Sequence, residues 1–215
     1  FKQKTAYEMC GRDWSSDVCS SDLYRAQVLG GAPPGHFAAS PAKHPNLIRL
    51  HSNSKWCRGL GRRLGWIEAA PEVVQTVEIV QQGTNLCPDT LHQHALATYL
   101  QTALKDGSLA TYLAESSERY ARAGAHTVAS IRRHLGARCL DPEGGLYTVM
   151  DAGRDGDEFA RDVLAHTGVI LVPGIGFGPS LRNGVRVSFG PLVDDLDRID
   201  EGFRRVAEYL DGTRP

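Results

Sequence analysis

Residues 46–55, Asn-Leu-Ile-Arg-Leu-His-Ser-Asn-Ser-Lys, decide the fold, because an apolar run ends there in two serines and a lysine. Two glycines follow, and Arg63-Leu-Gly-Trp66 then begins a second run. The pattern predicts a strand, a loop that carries Lys55, and another strand after Arg63. A lysine amine at the mouth of a sheet can form a Schiff base with an aldehyde. An arginine eight residues later can hold a phosphate through its planar fork of donors.

Lysine is scarce in this chain, since only 3 lysines but 18 arginines lie beyond residue 23. On spacing alone, however, a solvated lysine at the end of a strand is the commoner explanation. Six short motifs help to decide between these two interpretations of Lys55. In chain order they are Tyr24-Arg25, Ser52-Asn53-Ser54-Lys55, Arg63-Leu64-Gly65-Trp66, Pro142-Glu143-Gly144-Gly145-Leu146-Tyr147, Pro173-Gly174-Ile175-Gly176-Phe177-Gly178 and Asn183-Gly184-Val185-Arg186-Val187-Ser188-Phe189.

With these motifs, the chain from Tyr24 onward resembles the second half of a class I/II aminotransferase, an enzyme of fold type I that uses pyridoxal 5′-phosphate (PLP). The resemblance implies an α/β fold like that of aspartate aminotransferase. Residues 24–107 would form the end of a large, PLP-binding parallel-sheet domain, and residues 108–215 a small C-terminal domain with a bridging helix. Asn53 departs from the family pattern, which usually has an apolar residue at this position.

The resemblance also implies roles for individual side chains. Lys55 would form the aldimine with PLP and, once displaced by the substrate, carry a proton between the substrate Cα and the cofactor. Arg63 would bind the cofactor phosphate, with Ser52 and, more weakly, Ser54 adding hydroxyl groups. Tyr24 would contact the ring oxygen of the cofactor through its own hydroxyl.

Arg186 lies in an apolar run in which alternation would bury one face. A buried arginine requires an anion. The resemblance implies that this anion is the substrate α-carboxylate, and the alternative is a structural ion pair.

The family also has an aspartate, three residues before its tyrosine, that pairs with the pyridine nitrogen of the cofactor. That position is occupied by Ser21 here, and Asp22 is out of register by one residue.

The first 23 residues differ from the rest. Residues 14–23 resemble a translated end of a common short-read sequencing adapter, and residues 2–8 resemble its other end. A signal or transit peptide is the alternative, but the segment has no apolar run and contains several acidic residues. We therefore predict that residues 1–23 are non-native and omit them from the fold prediction. We further expect the chain to be a fragment that lacks roughly half of the parent enzyme and is itself inactive.

Composition excludes some partners. The formal net charge is −1, and residues 24–215 contain 21 basic and 21 acidic side chains, which predicts binding to neither nucleic acid nor an anionic membrane. No apolar run is long enough for a membrane span.

Three cysteines remain beyond residue 23, and an odd, widely spaced set favours the reducing cytoplasm. Cys57 could be reactive, although an ordinary loop residue is the simpler interpretation. His92 and His94 would face different sides of a helix, so no metal site is predicted.

Periodicity and turn residues predict the elements. The strands are 24–29, 47–51, 64–68, 145–150, 169–172 and 185–189, and the helices begin at Pro71 and Pro88 or span 109–135, 157–166 and 194–210.

The predicted function of the parent protein is transfer of the amino group of an L-amino acid to a 2-oxo acid, in a cytoplasmic homodimer. Two alternatives stay open. One is another PLP reaction on amino acids, such as elimination, decarboxylation or cyclisation. The other is an aminotransferase-like domain that senses a ligand in a transcription regulator.

Overall fold

Two units make up the chain, and the division between them falls at Ala114 and Glu115. The structure is a computed structural model that describes residues 18–21, 28–29 and 39–212. Tyr24 lies outside the described residues, and so does most of the strand predicted at 24–29.

The first unit contains a sheet in the order β1-β2-β3, formed by β1 (Val18–Ser21), β2 (Leu47–Ser52) and β3 (Gly65–Glu68). β1 pairs with β2 in parallel, and β3 pairs with β2 antiparallel. The two strands predicted on either side of Lys55 are therefore confirmed. β1 lies within residues 1–23, which the fold prediction left out. The predicted fold therefore lacked this strand. The non-native origin of residues 1–23 stays a prediction.

β2 and β3 form a hairpin whose register places Ser52 opposite Gly65. Gly65 is required there, because a Cβ atom on this residue would lie 2.6 Å from the backbone oxygen of His51. Next along the hairpin, the Asn53 N–H donates to the Leu64 carbonyl at 3.3 Å. The chain thus leaves β2 and returns to β3 at one end of the sheet.

Two helices follow in the first unit, α1 (Pro71–Thr84) and α2 (Thr90–Lys105). Pro71 occupies the first turn of α1, where its missing N–H is not needed. The second helix was predicted to start at Pro88 but starts at Thr90, because the Asp89 side chain caps it by accepting from the His92 N–H. Within the described residues α1 buries no residue and α2 buries only Ala103.

The long helix α3 (Ser108–Leu135) crosses the division between the units without a break. Its buried positions all lie in the second unit and recur at helical spacing. They are Tyr120, Ala123, Gly124, Thr127, Val128, Ser130 and Ile131.

The second unit has an antiparallel sheet in the order β4-β6-β5, formed by β4 (Tyr147–Asp151), β5 (Val172–Pro173) and β6 (Gly184–Ser188). The strand predicted at 169–172 is wrong in extent, since only Val172 and Pro173 pair with β6. Helices α4 (Gly156–Thr167) and α5 (Leu196–Gly212) complete this unit. Side chains from the sheet and from these helices are buried together in its core, including Met150, Val163, Val185, Val187, Phe203 and Val206. The alternation of strands and helices confirms the predicted α/β class.

Candidate functional site

Lys55 lies in the loop of residues 53–64 that joins β2 to β3, which we call the lysine loop. Its side chain is half-buried, three residues beyond the end of β2. Because the hairpin closes between Asn53 and Leu64, Arg63 returns to the same end of the sheet at which Ser52 ends β2. The hairpin thus brings together an amine, two hydroxyl groups and a guanidinium group on one continuous segment.

The two serines of the motif are joined directly. The Ser52 hydroxyl donates to Ser54 Oγ at 3.0 Å and accepts from the Ser54 N–H at 3.1 Å. Ser54 is buried and Ser52 is half-buried. Both hydroxyls are therefore oriented by the turn that leads into Lys55, an arrangement that suits binding of an oxyanion.

Arg63 follows a short 3-10 helix, Leu60–Arg62, in the left-handed conformation with φ 52°. Arg58, on the other side of that helix, is also left-handed with φ 55°. Each costs about 1–2 kcal/mol for a side chain of this kind, and such strain concentrates at functional sites. Arg63 is exposed and forms no ion pair within the described part of the chain, whereas Arg62 lies 3.9 Å from Asp89. The guanidinium of Arg63 is therefore available for an external anion.

Cys57 does not have the surroundings of a reactive thiol. Its Sγ donates to the backbone oxygen of Asn53 at 2.9 Å. Burial raises the pKa of this thiol above its ordinary value, although backbone N–H groups oppose the shift. The neutral form is favoured, which supports the interpretation of Cys57 as a structural loop residue.

β2 and β3 carry a polar cluster that sequence analysis missed. Arg49 is 7% exposed and donates through Nη1 to Glu68 Oε2 at 3.1 Å. His51 lies 3.2 Å from the other carboxylate oxygen and stacks on Trp66, with ring centroids 5.1 Å apart. The direct opposition of Arg49 and Glu68 in the hairpin is the signal that could have revealed it.

Arg186 lies on β6 in the second unit, and its guanidinium group lies over two aromatic rings. The ring centroids of Tyr147 and Phe177 are 4.4 Å and 5.0 Å from its Cζ. Its Nε is buried and has no hydrogen-bond partner among the described residues. Arg186 was expected to be buried but is half-buried, because Val185 and Val187 face the core and Arg186 lies on the opposite face of the strand. A flat cation with an unused buried donor fits a carboxylate well.

Neither a metal site nor a membrane span was predicted, and Tyr24 lies outside the described residues. No group of histidine, cysteine and acidic side chains in the described part could hold a metal ion. None of the described helices has the length and apolar character needed to cross a bilayer. The role predicted for Tyr24 lies outside the described residues and stays a prediction.

Both the hairpin that carries Lys55 and the α/β architecture define a protein of the fold-type I class. The family model "Aminotransferase class I and II" matches residues 18–201, and the chain belongs to this family. Dependence on PLP is a general property of its members. The predicted family resemblance and the predicted fold class are both confirmed.

Similar proteins support this assignment. Valine–pyruvate aminotransferase of Mycobacterium tuberculosis is 31% identical over 208 residues, covering 91% of this chain and 50% of the relative. The crystal structure of an aminotransferase from Mycobacterium tuberculosis is 26% identical with a TM-score of 0.75, covering 91% of this chain and 49% of that one. The aromatic aminotransferase of Pyrococcus horikoshii shares the fold, with a TM-score of 0.79 at 24% identity and coverage of 91% and 51%. The chain thus spans about half the length of the relatives it matches.

Proposed function

We propose that this chain is part of a PLP-dependent enzyme that transfers the amino group of an L-amino acid to a 2-oxo acid. The observation that carries the proposal is the β2–β3 hairpin, which gathers Lys55, Ser52, Ser54 and Arg63 at one end of a sheet. Membership of the aminotransferase family and the names of its similar proteins support this reaction.

The donors of the lysine loop fit the cofactor. A phosphate dianion needs charged and oriented donors. Arg63 and the Ser54 hydroxyl would donate directly, and the Ser52 hydroxyl would donate once it releases its bond to Ser54 Oγ. Lys55 would hold the aldehyde end through its amine. When bound, PLP supplies an aldehyde and an electron-accepting ring. In this proposal Tyr24 contributes a further hydroxyl on the same cofactor.

Lys55 would also move the proton. Its Nζ would accept the proton released from the substrate Cα and later donate it back.

Arg186 would orient the amino-acid substrate through its α-carboxylate. The guanidinium of Arg186 is planar and packs over the rings of Tyr147 and Phe177, so its fork of N–H groups can donate to the two carboxylate oxygens side by side. The buried Nε without a partner supports this role, because a ligand oxygen would satisfy it.

The same proposal includes a cytoplasmic homodimer as the parent protein. Among the described residues, Cys57, Cys87 and Cys139 are free thiols, which supports a reducing compartment.

The cofactor proposal is tested by reductive trapping. The chain is incubated with PLP, treated with borohydride, and digested for peptide mass mapping. We expect the label on Lys55 well above Lys43 and Lys105, which are both exposed. Lys55→Ala should abolish the main label, and Lys43→Ala serves as the matched control. Equal labelling of all three lysines would contradict the proposal.

A further inference from the structure

The lysine loop is built around Asn53, which is completely buried two residues before Lys55. The Asn53 N–H donates to the Leu64 carbonyl, and the Asn53 carbonyl accepts from the Gly59 N–H at 3.3 Å and from the thiol of Cys57. Gly59 has no room for a side chain, because its Cβ would lie 2.8 Å from Asn53 Nδ2. The departing and the returning halves of the loop are thus both bonded to this one residue.

The side chain of Asn53 extends from the loop to helix α2. Its Nδ2 lies 2.6 Å from Nε2 of His92. Because an amide nitrogen can only donate, the ring nitrogen is the acceptor in this contact. His92 is itself fixed, since its backbone N–H donates to the cap residue Asp89 at 3.1 Å.

Burying an amide side chain costs free energy unless its polar atoms form hydrogen bonds. Asn53 Oδ1 is buried and has no hydrogen-bond partner among the described residues. An apolar side chain of similar volume would avoid that desolvation cost. The amide is therefore explained by what its nitrogen does, which is to bond His92.

We propose that Asn53 and His92 are positioning residues for Lys55. Their contact ties the lysine loop to the capped first turn of α2 and fixes the turn in which Ser52 and Ser54 flank Asn53. The amine of Lys55 and the two hydroxyls are thereby presented in one arrangement. The benefit for cofactor binding rests on the proposed function, whereas the contact itself does not.

A double-mutant cycle tests the pair. The variants are Asn53→Leu, His92→Leu and the two combined. His94→Leu is the matched control, because His94 lies on the same helix and is exposed. His92→Gln retains an acceptor oxygen and serves as the conservative variant. Circular dichroism confirms that each variant is folded.

Two measurements are made on each variant. Hydrogen exchange of the Asn53 and Gly59 amides reports the order of the loop without any cofactor. The rate at which PLP is trapped on Lys55 by borohydride reports presentation of the amine. We expect each single leucine variant to accelerate exchange and slow trapping by about tenfold, the effect of one lost hydrogen bond. The double variant should be no worse than either single variant, and His92→Gln should recover part of the loss.

The proposal would be overturned if the effects of the two leucine substitutions were additive in the double variant. It would also be overturned if the Asn53 and Gly59 amides of His92→Leu exchanged at the wild-type rate. An equal effect of His94→Leu would also overturn it. If Asn53→Leu does not fold, the comparison of His92→Leu with His92→Gln decides. If wild-type Lys55 is labelled no more than Lys43, the cofactor proposal fails, while the exchange measurements still decide whether the pair orders the loop.

Discussion

The two units of this chain use their apolar residues differently. In the second unit, α4 buries Phe159 and Val163, and α5 buries Phe203 and Val206. In the first unit α1 buries no residue among those described, and its Ile79 is 71% exposed. The apolar residues at helical spacing therefore pack into a core in the second unit. In the described part of the first unit, by contrast, α1 buries none of its apolar residues.

The functional side chains differ in the same way. Arg186 projects from the central strand of a three-stranded sheet, where both neighbouring strands fix its backbone. Lys55 projects from a loop whose conformation includes two strained arginines and one buried amide. Arg186, the proposed carboxylate anchor, is held by regular structure, whereas Lys55 depends on specific contacts within its loop.

The largest effect expected from this comparison is on stability. Phe203→Ala removes a ring that is 4% exposed in the second unit and should lower the free energy of unfolding by about 3–5 kcal/mol. Tyr99→Ala removes a ring that is 43% exposed on α2 and should cost less than about 1 kcal/mol. Urea unfolding followed by circular dichroism measures both. Equal losses would contradict the contrast between the units.

The hairpin can be tested with a pair of glycines. A Cβ at Gly65 would lie 2.6 Å from the His51 oxygen, so Gly65→Ala should destabilise the chain by about 1–3 kcal/mol. A Cβ at Gly61 meets nothing within 4 Å, and Gly61→Ala should change stability by less than about 0.5 kcal/mol. Urea unfolding measures both variants. If Gly65→Ala left the free energy of unfolding unchanged, the hairpin register would differ from the one described.

The elements that sequence analysis predicted best are those whose signal is local. Strand alternation around residues 47 and 65 and the proline at the start of α1 identified β2, β3 and α1. The start of α2 was misplaced because the Asp89 cap competes with Pro88 as a start signal. The strand at 169–172 was overextended, because an apolar run does not reveal which of its residues have a pairing partner.

The site was predictable only where a motif carries the chemistry. The motif predicts roles for Ser52, Ser54, Lys55 and Arg63, and these four residues lie on the β2–β3 hairpin. Their roles stay predictions. The contact between Asn53 and His92 spans 39 residues and joins a loop to a helix, so no local pattern predicts it. Likewise, alternation placed Arg186 on a strand but did not predict that its own face is the less buried one.

Adjacent arginines in the lysine loop test its proposed phosphate contact. Arg63→Ala should slow PLP trapping on Lys55 about tenfold or more, because a hydrogen bond to a charged group contributes about 1.5–3 kcal/mol. Arg62→Ala removes only an exposed pair 3.9 Å from Asp89 and should leave trapping unchanged. The measurement is the borohydride assay at limiting PLP. A larger loss with Arg62→Ala would move the phosphate contact to that residue.

The smallest effect concerns acid stability in the second unit. The Asp200 carboxylate accepts from Ser130, His134 and Arg133, and these bonds lower its pKa from 3.8 to about 2. A lowered pKa in the folded state contributes stability above about pH 4 that is lost as the pH falls toward 2. Because the side chain is 33% exposed, Asp200→Asn should cost less than about 1 kcal/mol at neutral pH.

The pH dependence provides the sharper measurement for Asp200. Between about pH 4 and 2 the wild type should lose stability faster than Asp200→Asn, because the variant has no carboxylate to protonate at this position. Asp197→Asn, on the same helix and exposed, should follow the wild-type slope. Unfolding in urea at several pH values measures these slopes. A common slope for all three proteins would mean that the bonds to Asp200 do not couple α3 to α5 in solution.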